Sequence, residues 1–351
     1  MTSRRKFIKR SAATIGAFTI VPGHVLFAKD EIRNATGELV QPRIVAPSDK
    51  VNMAFCGIGN RGGQILRAHN ETGMINTTVL CDVDMGAKHT LRTLEAYPKA
   101  KQYQDFREMF EKSAKEFDAV CVGTPDFSHF PITILAMSQG KHVYVEKPLT
   151  RTFNESELLI KAEKKYGVVT QMGNQGHSEG NYYQFKSWVE NGIIKDVTKI
   201  TAHMNGKRRW HGFEVNMKNY PVNPVVPETL DWDVWLMTAK KHGYHEDFVN
   251  GQWRCWYEHG MGALGDWGAH IIDTAHQFLD LGMPYEVDPV RIEGHNKLFF
   301  PMETTLDFKF PKRKKMPACT ITWYDGQNNI PQVPEGYGEL EIDPNIPPAS
   351  N

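Results

Sequence analysis

The chain has 351 residues, and its 41 basic side chains balance its 41 acidic ones, so the formal net charge at pH 7 is zero. This balance argues against nucleic acid as the main partner, because neutralising a phosphate backbone needs a surplus of lysine and arginine. Apolar residues make up 40% of the chain, which is enough for ordinary hydrophobic cores, and the length favours two domains over one.

The first 30 residues are expected to be a targeting segment and not part of the fold. Ser3 to Lys9 form a twin-arginine sequence, and a modestly apolar stretch follows from Ala12 to Val21. That stretch is too short and interrupted to be a stable membrane anchor. The pattern predicts export of the folded protein to the periplasm by the twin-arginine route, with residues 1–30 as signal and residues 31–49 as a linker or arm. The alternative is the basic amphipathic N-terminus of a cytosolic protein.

A glycine-rich turn between a strand and a helix opens the folded part. Val51 to Cys56 predict a buried strand, and Gln64 to His69 predict a helix. In such a turn the backbone can approach a pyrophosphate, and the positive end of the helix dipole favours its charge. The stretch therefore predicts a dinucleotide site. Its G-x-G-x-x-G sequence consists of Gly57, Ile58, Gly59, Asn60, Arg61 and Gly62.

A second predicted strand, over residues 77–81, is followed directly by Asp82. This carboxylate lies roughly 20 residues beyond the glycines, where an acidic side chain accepts the ribose hydroxyls of a dinucleotide. A carboxylate repels the 2′-phosphate of NADP, so the sequence leans slightly towards NAD over NADP. The alternative interpretation of Asp82 is a plain turn residue.

Strands and helices alternate up to residue 173, which predicts a parallel, doubly wound sheet in a Rossmann domain over residues 50–172. Helices are predicted over residues 87–97, 106–115, 131–139 and 154–166, the last with Asn154 as its N-cap. Ligands of such sheets bind beyond the carboxyl ends of the strands. Besides the glycine turn and Asp82, the residues at those ends are Thr124, Pro125, His129, Glu146, Lys147 and Pro148.

The pattern changes after residue 173. Residues 197–204, 290–293, 303–310 and 318–323 alternate between polar and apolar, which predicts an open, mostly antiparallel sheet in an α+β domain over residues 173–351. A helix is predicted over residues 262–281, and the long aromatic loop before it is expected to be functional. The tail beyond residue 326 shows no periodicity, so this domain is expected to be C-terminally incomplete.

The five cysteines show no metal-ligand spacing, and three of them lie in or at the ends of predicted buried strands. We interpret them as small core side chains, with no disulfide framework and no metal site. They are Cys56, Cys81, Cys121, Cys255 and Cys319.

Four motifs together resemble the glucose–fructose oxidoreductase / inositol dehydrogenase family, often written Gfo/Idh/MocA. They are the glycine turn, the Thr124-Pro125 loop with His129, the tripeptide Glu146-Lys147-Pro148, and the sequence G-x-L-x-D-x-G-x-H that contains Asp266 and His270. With its twin-arginine N-terminus the chain is similar to the exported members. The resemblance implies hydride transfer between NAD or NADP and a hydroxyl carbon of a sugar or glycoside, a cofactor that can be held and recycled, and a homo-oligomer.

The predicted catalytic residues are Lys147, Asp266 and His270. Removing a hydride requires the adjacent hydroxyl to lose its proton, and a histidine is suited to accept it. Asp266 lies four residues before His270, so on a helix both side chains share one face. Lys147 can donate to the reacting oxygen and stabilise developing negative charge. The alternatives are an exposed loop lysine and an ion pair on a helix surface.

Aromatic side chains are dense between residues 210 and 267, and their faces can pack against the apolar C–H faces of pyranose rings. Trp232 and Trp235 are expected in the core. The predicted substrate contacts are Gln175, His177, Arg208, Trp253 and Trp267. Two other functions compete with a sugar oxidoreductase. One is an NAD-dependent glycosidase that acts through transient oxidation at C3, and the other is a non-catalytic sensor of a sugar or dinucleotide.

Overall fold

The computed structural model describes residues 47–204, 215–249, 251–314 and 316–332. The predicted signal, residues 31–46 of the predicted arm, Arg208 and residues 333–351 therefore lie outside the described residues.

Six parallel strands form the first sheet, in the order β3-β2-β1-β4-β5-β6. The order reverses between β1 and β4, and such a reversal is the point at which doubly wound sheets bind ligands. The predicted parallel, doubly wound sheet is confirmed. Its elements are β1 (Val51–Cys56), α1 (Asn60–Glu71), β2 (Ile75–Cys81), α2 (Lys88–Ala96), β3 (Lys101–Tyr103), α3 (Phe106–Ser113), β4 (Ala119–Val122), α4 (Asp126–Ser138), β5 (His142–Glu146), α5 (Phe153–Tyr166) and β6 (Thr170–Gly173).

Helices cover both faces of this sheet, so its central strands are buried on both sides. Val120 and Val122 of β4 pack into one core layer with Met109, and Phe55 of β1 packs into the other with Leu66. Strands buried on both faces are continuous apolar runs, as the four residues of β4 are.

Backbone segments meet so closely at the glycine turn that no side chain fits between them. Gly57 has a φ of +75°, which favours glycine. A Cβ atom on Gly62 would lie 1.8 Å from the carbonyl oxygen of Gly57, and one on Gly123 would lie 2.9 Å from the Cα of Gly62. The first turn of α1 therefore rests directly on the ends of β1 and β4.

The second sheet has four strands in the order β7-β10-β9-β8. β9 is antiparallel to β8 and β10, while β7 is parallel to β10, so the predicted open and mostly antiparallel sheet is confirmed. Leu279 and Phe310 bury Trp323 of this sheet. The elements are α6 (Gly180–Glu190), β7 (Lys199–Met204), α7 (Trp232–Leu236), 3₁₀ turns at Glu246–Phe248 and Gln252–Cys255, a π-helical turn at Leu264–Gly268, α8 (Ala269–Ile271), α9 (Asp273–Phe278), β8 (Glu286–Glu293), β9 (Glu303–Phe310) and β10 (Cys319–Asp325).

Three predicted helices differ from the observed ones. α4 begins at Asp126 and contains Pro131, whereas the sequence predicts Pro131 at the helix start. α5 is capped by Thr152 and not by Asn154, because Thr152 and Glu155 exchange hydrogen bonds in a capping box. The single helix predicted over residues 262–281 is interrupted by the π-helical turn, whose wider hydrogen bonding is common at functional sites.

No helix within the described ranges is long and apolar enough to cross a membrane.

We predict that Gly62→Ala lowers the free energy of unfolding by about 3 kcal/mol, because the added methyl overlaps the Gly57 carbonyl and overpacking forces the backbone apart. Gly180→Ala at the start of α6 is the matched control, since a Cβ there meets no atom within 4 Å. Urea unfolding followed by circular dichroism measures both. Equal stability of the two variants would contradict the close packing at the glycine turn.

Candidate functional site

A cavity of about 430 Å³ lies at the carboxyl ends of β1, β2, β4 and β5. Residues at the strand ends of the first sheet line one part of the cavity, and the rest of its lining comes from Leu230, Val234, Trp235, Met237, Val249, Gly251, Trp253 and Arg254. From the predicted site, the lining residues are Gly57, Gly59, Asn60, Arg61, Asp82, Thr124, Pro125, Glu146, Lys147 and Trp253.

The glycine turn offers an anion site at this cavity. Gly59 precedes α1, and no described side chain caps the helix, so its first N–H groups can bind a phosphate. Arg61 lies beside them, with its guanidinium 3.3 Å from the carboxylate of Glu146. Ile58 and Gly62 contribute through the backbone and are not among the lining residues.

Asp82 is held at the cavity by backbone donors. The Ile58 N–H donates to its Oδ2 at 2.9 Å, and the Asp84 N–H donates to its Oδ1 at 3.1 Å. Burial raises the pKa of Asp82, and these two hydrogen bonds oppose that shift. Each carboxylate oxygen can accept a further hydrogen bond, so the group fits the ribose of a dinucleotide. The anion site and this carboxylate together fit NAD or NADP.

Lys147 and Asp266 form a buried ion pair between the two sheets. The Lys147 Nζ donates to Asp266 Oδ1 at 2.6 Å and to the Asp266 carbonyl at 2.8 Å. Lys147 follows β5, whereas Asp266 lies in the π-helical turn, and the two residues are 7% and 2% exposed. The structure thus brings together two of the three predicted catalytic residues.

Two further charged residues, Arg254 and Asp126, lie next to this ion pair. Neither was among the predicted site residues. Arg254 Nε lies 3.1 Å from Asp266 Oδ1 and 3.6 Å from Asp126 Oδ1. Its guanidinium also stacks 4.0 Å from the centre of the Trp253 ring. Charges of alternating sign therefore run from Asp126 through Arg254 and Asp266 to Lys147. The position of Asp126, directly after Thr124 and Pro125 at the end of a strand, could have indicated that it belongs to the site.

His270 is half-buried and oriented as a base. Its Nδ1 donates to the Gln175 carbonyl at 3.0 Å. Because a carbonyl can only accept, the neutral ring carries its proton on Nδ1 and keeps a lone pair on Nε2. Burial lowers the pKa of His270; the nearby charge of Lys147 acts in the same direction, while the hydrogen bond to Gln175 opposes it. The neutral, proton-accepting form is therefore favoured near pH 7.

Of the four predicted substrate residues that the structure describes, Trp253 lines the cavity, and the other three contact His270 or Asp273. The exposed Gln175 holds His270 through its main chain, and the Trp267 ring lies 5.6 Å from the His270 ring. His177 is bonded to Asp273 at 2.6 Å. Trp253 lines the cavity from a buried aromatic cluster. Trp235, expected only in the core, is buried and lines the cavity as well, while Trp232 stacks on it at 4.6 Å.

His129, expected to contact the cofactor, is 1% exposed and is not among the lining residues. Its Nδ1 lies 2.6 Å from the Pro148 carbonyl, and its Nε2 lies 2.8 Å from the Thr124 carbonyl. Burial lowers its pKa to about 4. The ring therefore positions two cavity loops and acts on a cofactor only through them.

Within the described ranges, no group of three or more His, Cys, Asp or Glu side chains could hold a metal ion. All five cysteines are buried.

Two family profiles match most of the chain between them. The profile described as "Oxidoreductase family, NAD-binding Rossmann fold" matches residues 51–174, and the one described as "Oxidoreductase family, C-terminal alpha/beta domain" matches residues 180–297. The chain belongs to the Gfo/Idh/MocA oxidoreductase family. The family resemblance seen in the sequence motifs is thereby confirmed, and the glycine turn and Asp82 lie in its NAD-binding domain.

Individual relatives within the Gfo/Idh/MocA family differ in function. A glycosyl hydrolase family 109 protein of Shewanella pealeana is 25% identical over 62% of this chain and 49% of its own length. An inositol 2-dehydrogenase of Salmonella paratyphi B is 28% identical over 52% of each chain. The chain thus spans about half the length of these curated relatives. The WlbA dehydrogenase of Bordetella pertussis, solved with NADH and UDP-GlcNAcA, is 17% identical with a TM-score of 0.55 over 81% of this chain and 72% of its own, which supports the fold.

We predict that Arg254→Met lowers the free energy of unfolding by about 3 kcal/mol, because it removes a cation from beside the buried carboxylates of Asp126 and Asp266, of which Asp266 keeps Lys147. The double variant with Asp126→Asn should lose less than the sum of the two single losses, since it removes both partners. Arg107→Met, which breaks a surface pair with Asp105, is the control and should change stability by less than about 1 kcal/mol. Additive losses in urea unfolding would show that Arg254 and Asp126 do not interact.

Proposed function

We propose that this protein transfers a hydride between a nicotinamide cofactor and a hydroxyl-bearing carbon of a sugar or glycoside. The observation that carries the proposal is the buried ion pair of Asp266 with Lys147, a residue that lines the cavity, with His270 in the helix that directly follows the turn of Asp266. Burial, with a smaller contribution from the charge of Lys147, lowers the pKa of His270, which suits this residue to the role of base. Membership of an oxidoreductase family and the inositol 2-dehydrogenase relative support the same chemistry.

The cofactor, when bound, supplies the acceptor or donor of the hydride, and the chain's residues handle the proton. His270 Nε2 accepts the proton of the reacting hydroxyl, while Gln175 fixes the ring through Nδ1. The Lys147 ammonium has three N–H donors, and Asp266 accepts two of them in the described contacts. The third can donate to the substrate oxygen and stabilise its negative charge.

NAD is the proposed cofactor in preference to NADP. Asp82 and Asp84 both place carboxylates at the end of β2, where the 2′-position of the adenosine ribose is recognised, and negative charges there disfavour a 2′-phosphate. The reaction can be a net oxidation, or the cofactor can be kept and recycled between substrates.

A glycosidase is the second candidate, favoured by the glycosyl hydrolase family 109 relative. Transient oxidation at C3 of a sugar would acidify the C–H at C2 and allow elimination of the glycosidic oxygen. Water would then add at C1, and return of the hydride to C3 would complete the hydrolysis with no net redox change. Lys147 and His270 would serve this route as well, so the reaction has to be separated by its products.

We also propose that the protein is exported to the periplasm and works as a homo-oligomer with a small-molecule partner. The twin-arginine sequence from Ser3 to Lys9 supports the location. Exposed Val287, Val290 and Ile292 on the edge strand β8 support self-association. Cell fractionation and analytical ultracentrifugation test the two points, and a cytosolic or monomeric protein would refute them.

We predict that Lys147→Ala binds the dinucleotide like the parent protein but turns over at least about a thousandfold more slowly, because it lacks the donor to the reacting oxygen. Binding is measured from the mass and amount of dinucleotide released on denaturation, and turnover from NADH absorbance with a panel of sugars. Lys141→Ala, which removes a lysine bonded to the Phe117 carbonyl, is the control. Full turnover in the Lys147 variant would refute the proposal, and cleavage of a chromogenic glycoside without NADH accumulation would select the second candidate.

We predict that the acid limb of kcat/KM for alcohol oxidation has its midpoint below pH 6.5, because the pKa of His270 is lowered and only the neutral ring accepts a proton. As the pH falls through that pKa, the rate should drop about tenfold per pH unit. In carbonyl reduction the protonated ring is the donor, so the rate should fall as the pH rises. An unchanged acid limb in His270→Asn would remove this residue as the base.

A further inference from the structure

Residues 229–231 run as a strap along the loop that follows β2. The Met85 N–H donates to the Thr229 carbonyl at 3.2 Å, and the Asp231 N–H donates to the Val83 carbonyl at 2.9 Å. Between these bonds, Asp84 and Leu230 form an isolated antiparallel bridge. The strap belongs to the second half of the chain, whereas the loop follows directly on Asp82 of the dinucleotide site.

Side-chain hydrogen bonds also join the strap to the loop after β2. The Thr229 hydroxyl donates to Asp84 Oδ1 at 2.7 Å. The Gln104 amide donates to the carbonyls of Val83 and Thr229, both at 2.8 Å. A Cβ on Gly86 would lie 2.2 Å from the Thr229 methyl, so Thr229 packs directly against the loop backbone.

The other end of the strap is fixed by α7. Asp231 caps this helix by accepting from the Val234 N–H at 2.9 Å. Trp235, one turn further, packs 5.2 Å from Phe127 at the start of α4. Leu230, Val234 and Trp235 all line the cavity, as Gly57 and Gly59 of the glycine turn do. The strap and α7 therefore cross the cavity from the end of β2 to the end of β4.

We propose that the strap is part of the dinucleotide site and retains the adenosine end of the cofactor, so that entry and release require it to open. This rests on the proposed function, since it needs a dinucleotide in the cleft. The ribose carboxylate of Asp82 and the strap residue Leu230 line the same cavity. A nucleotide held by Asp82 would have to pass the strap to leave. Backbone hydrogen bonds, the Thr229 hydroxyl and the Gln104 amide hold the strap closed.

Thr229→Val tests the retention because it keeps the shape of the side chain and removes only the hydroxyl. Asp84 Oδ1 would still accept from the Gly86 and Ala87 N–H groups, so the loop itself should stay folded. The dissociation rate of NADH, followed by fluorescence after mixing with excess NAD, is expected to rise roughly tenfold, as loss of a hydrogen bond to a charged group predicts. Amide hydrogen exchange at Met85 and Asp231 is expected to speed up in parallel.

Thr322→Val is the matched control, because the Thr322 hydroxyl donates to Asp307 at 2.6 Å in the second sheet. It should change neither the NADH dissociation rate nor exchange at the strap. Gly86→Ala, which pushes Thr229 off the loop, should reproduce the effect of Thr229→Val. An unchanged NADH dissociation rate in both strap variants would overturn the retention role, even if exchange speeds up. Failure of the parent protein to bind any dinucleotide would refute the proposed function instead.

Discussion

The ion pair between Lys147 and Asp266 is the contact on which the site depends, because it joins a strand end of the first sheet to a helical turn packed on the second. Burying two charges costs more than their attraction returns unless other partners complete their hydrogen bonding. Here the Asp266 carbonyl accepts from the same ammonium, and Arg254 approaches the same carboxylate. The lysine is therefore held in place only while both halves of the chain are assembled, which makes the geometry of this pair a property of their interface.

The cavity beside the glycine turn also depends on contact between the two halves of the chain. The glycine turn lets α1 rest on β1 and β4 without intervening side chains, and this brings the first N–H groups of α1 and Asp82 to one edge. The opposite wall comes from Leu230, Trp235 and Trp253, which lie far along the chain. The cavity is therefore lined by both halves of the chain, so its shape depends on their relative position.

The sequence was informative where geometry is set locally. Residues at the carboxyl ends of parallel strands must share one edge of the sheet, so the sequence predicts that Gly57, Asp82 and Lys147 lie together. Arg254 and Asp126 could not, because their contact joins loops distant in sequence and neither residue type is distinctive by itself. The spacing of Asp266 and His270 assumed a regular α-helix, and the π-helical turn between them leaves no signature in hydrophobic periodicity. Thr152 was missed as a cap although the Thr-x-x-Glu pattern was present.

His129 lies between two carbonyls, those of Thr124 and Pro148, and both can only accept. Burial lowers its pKa to about 4, which favours the neutral ring, whereas donating to both carbonyls requires a proton on each nitrogen. Pro148 directly follows Lys147, and Thr124 belongs to the loop after β4. The ring therefore ties the position of the lysine to the end of the central strand β4.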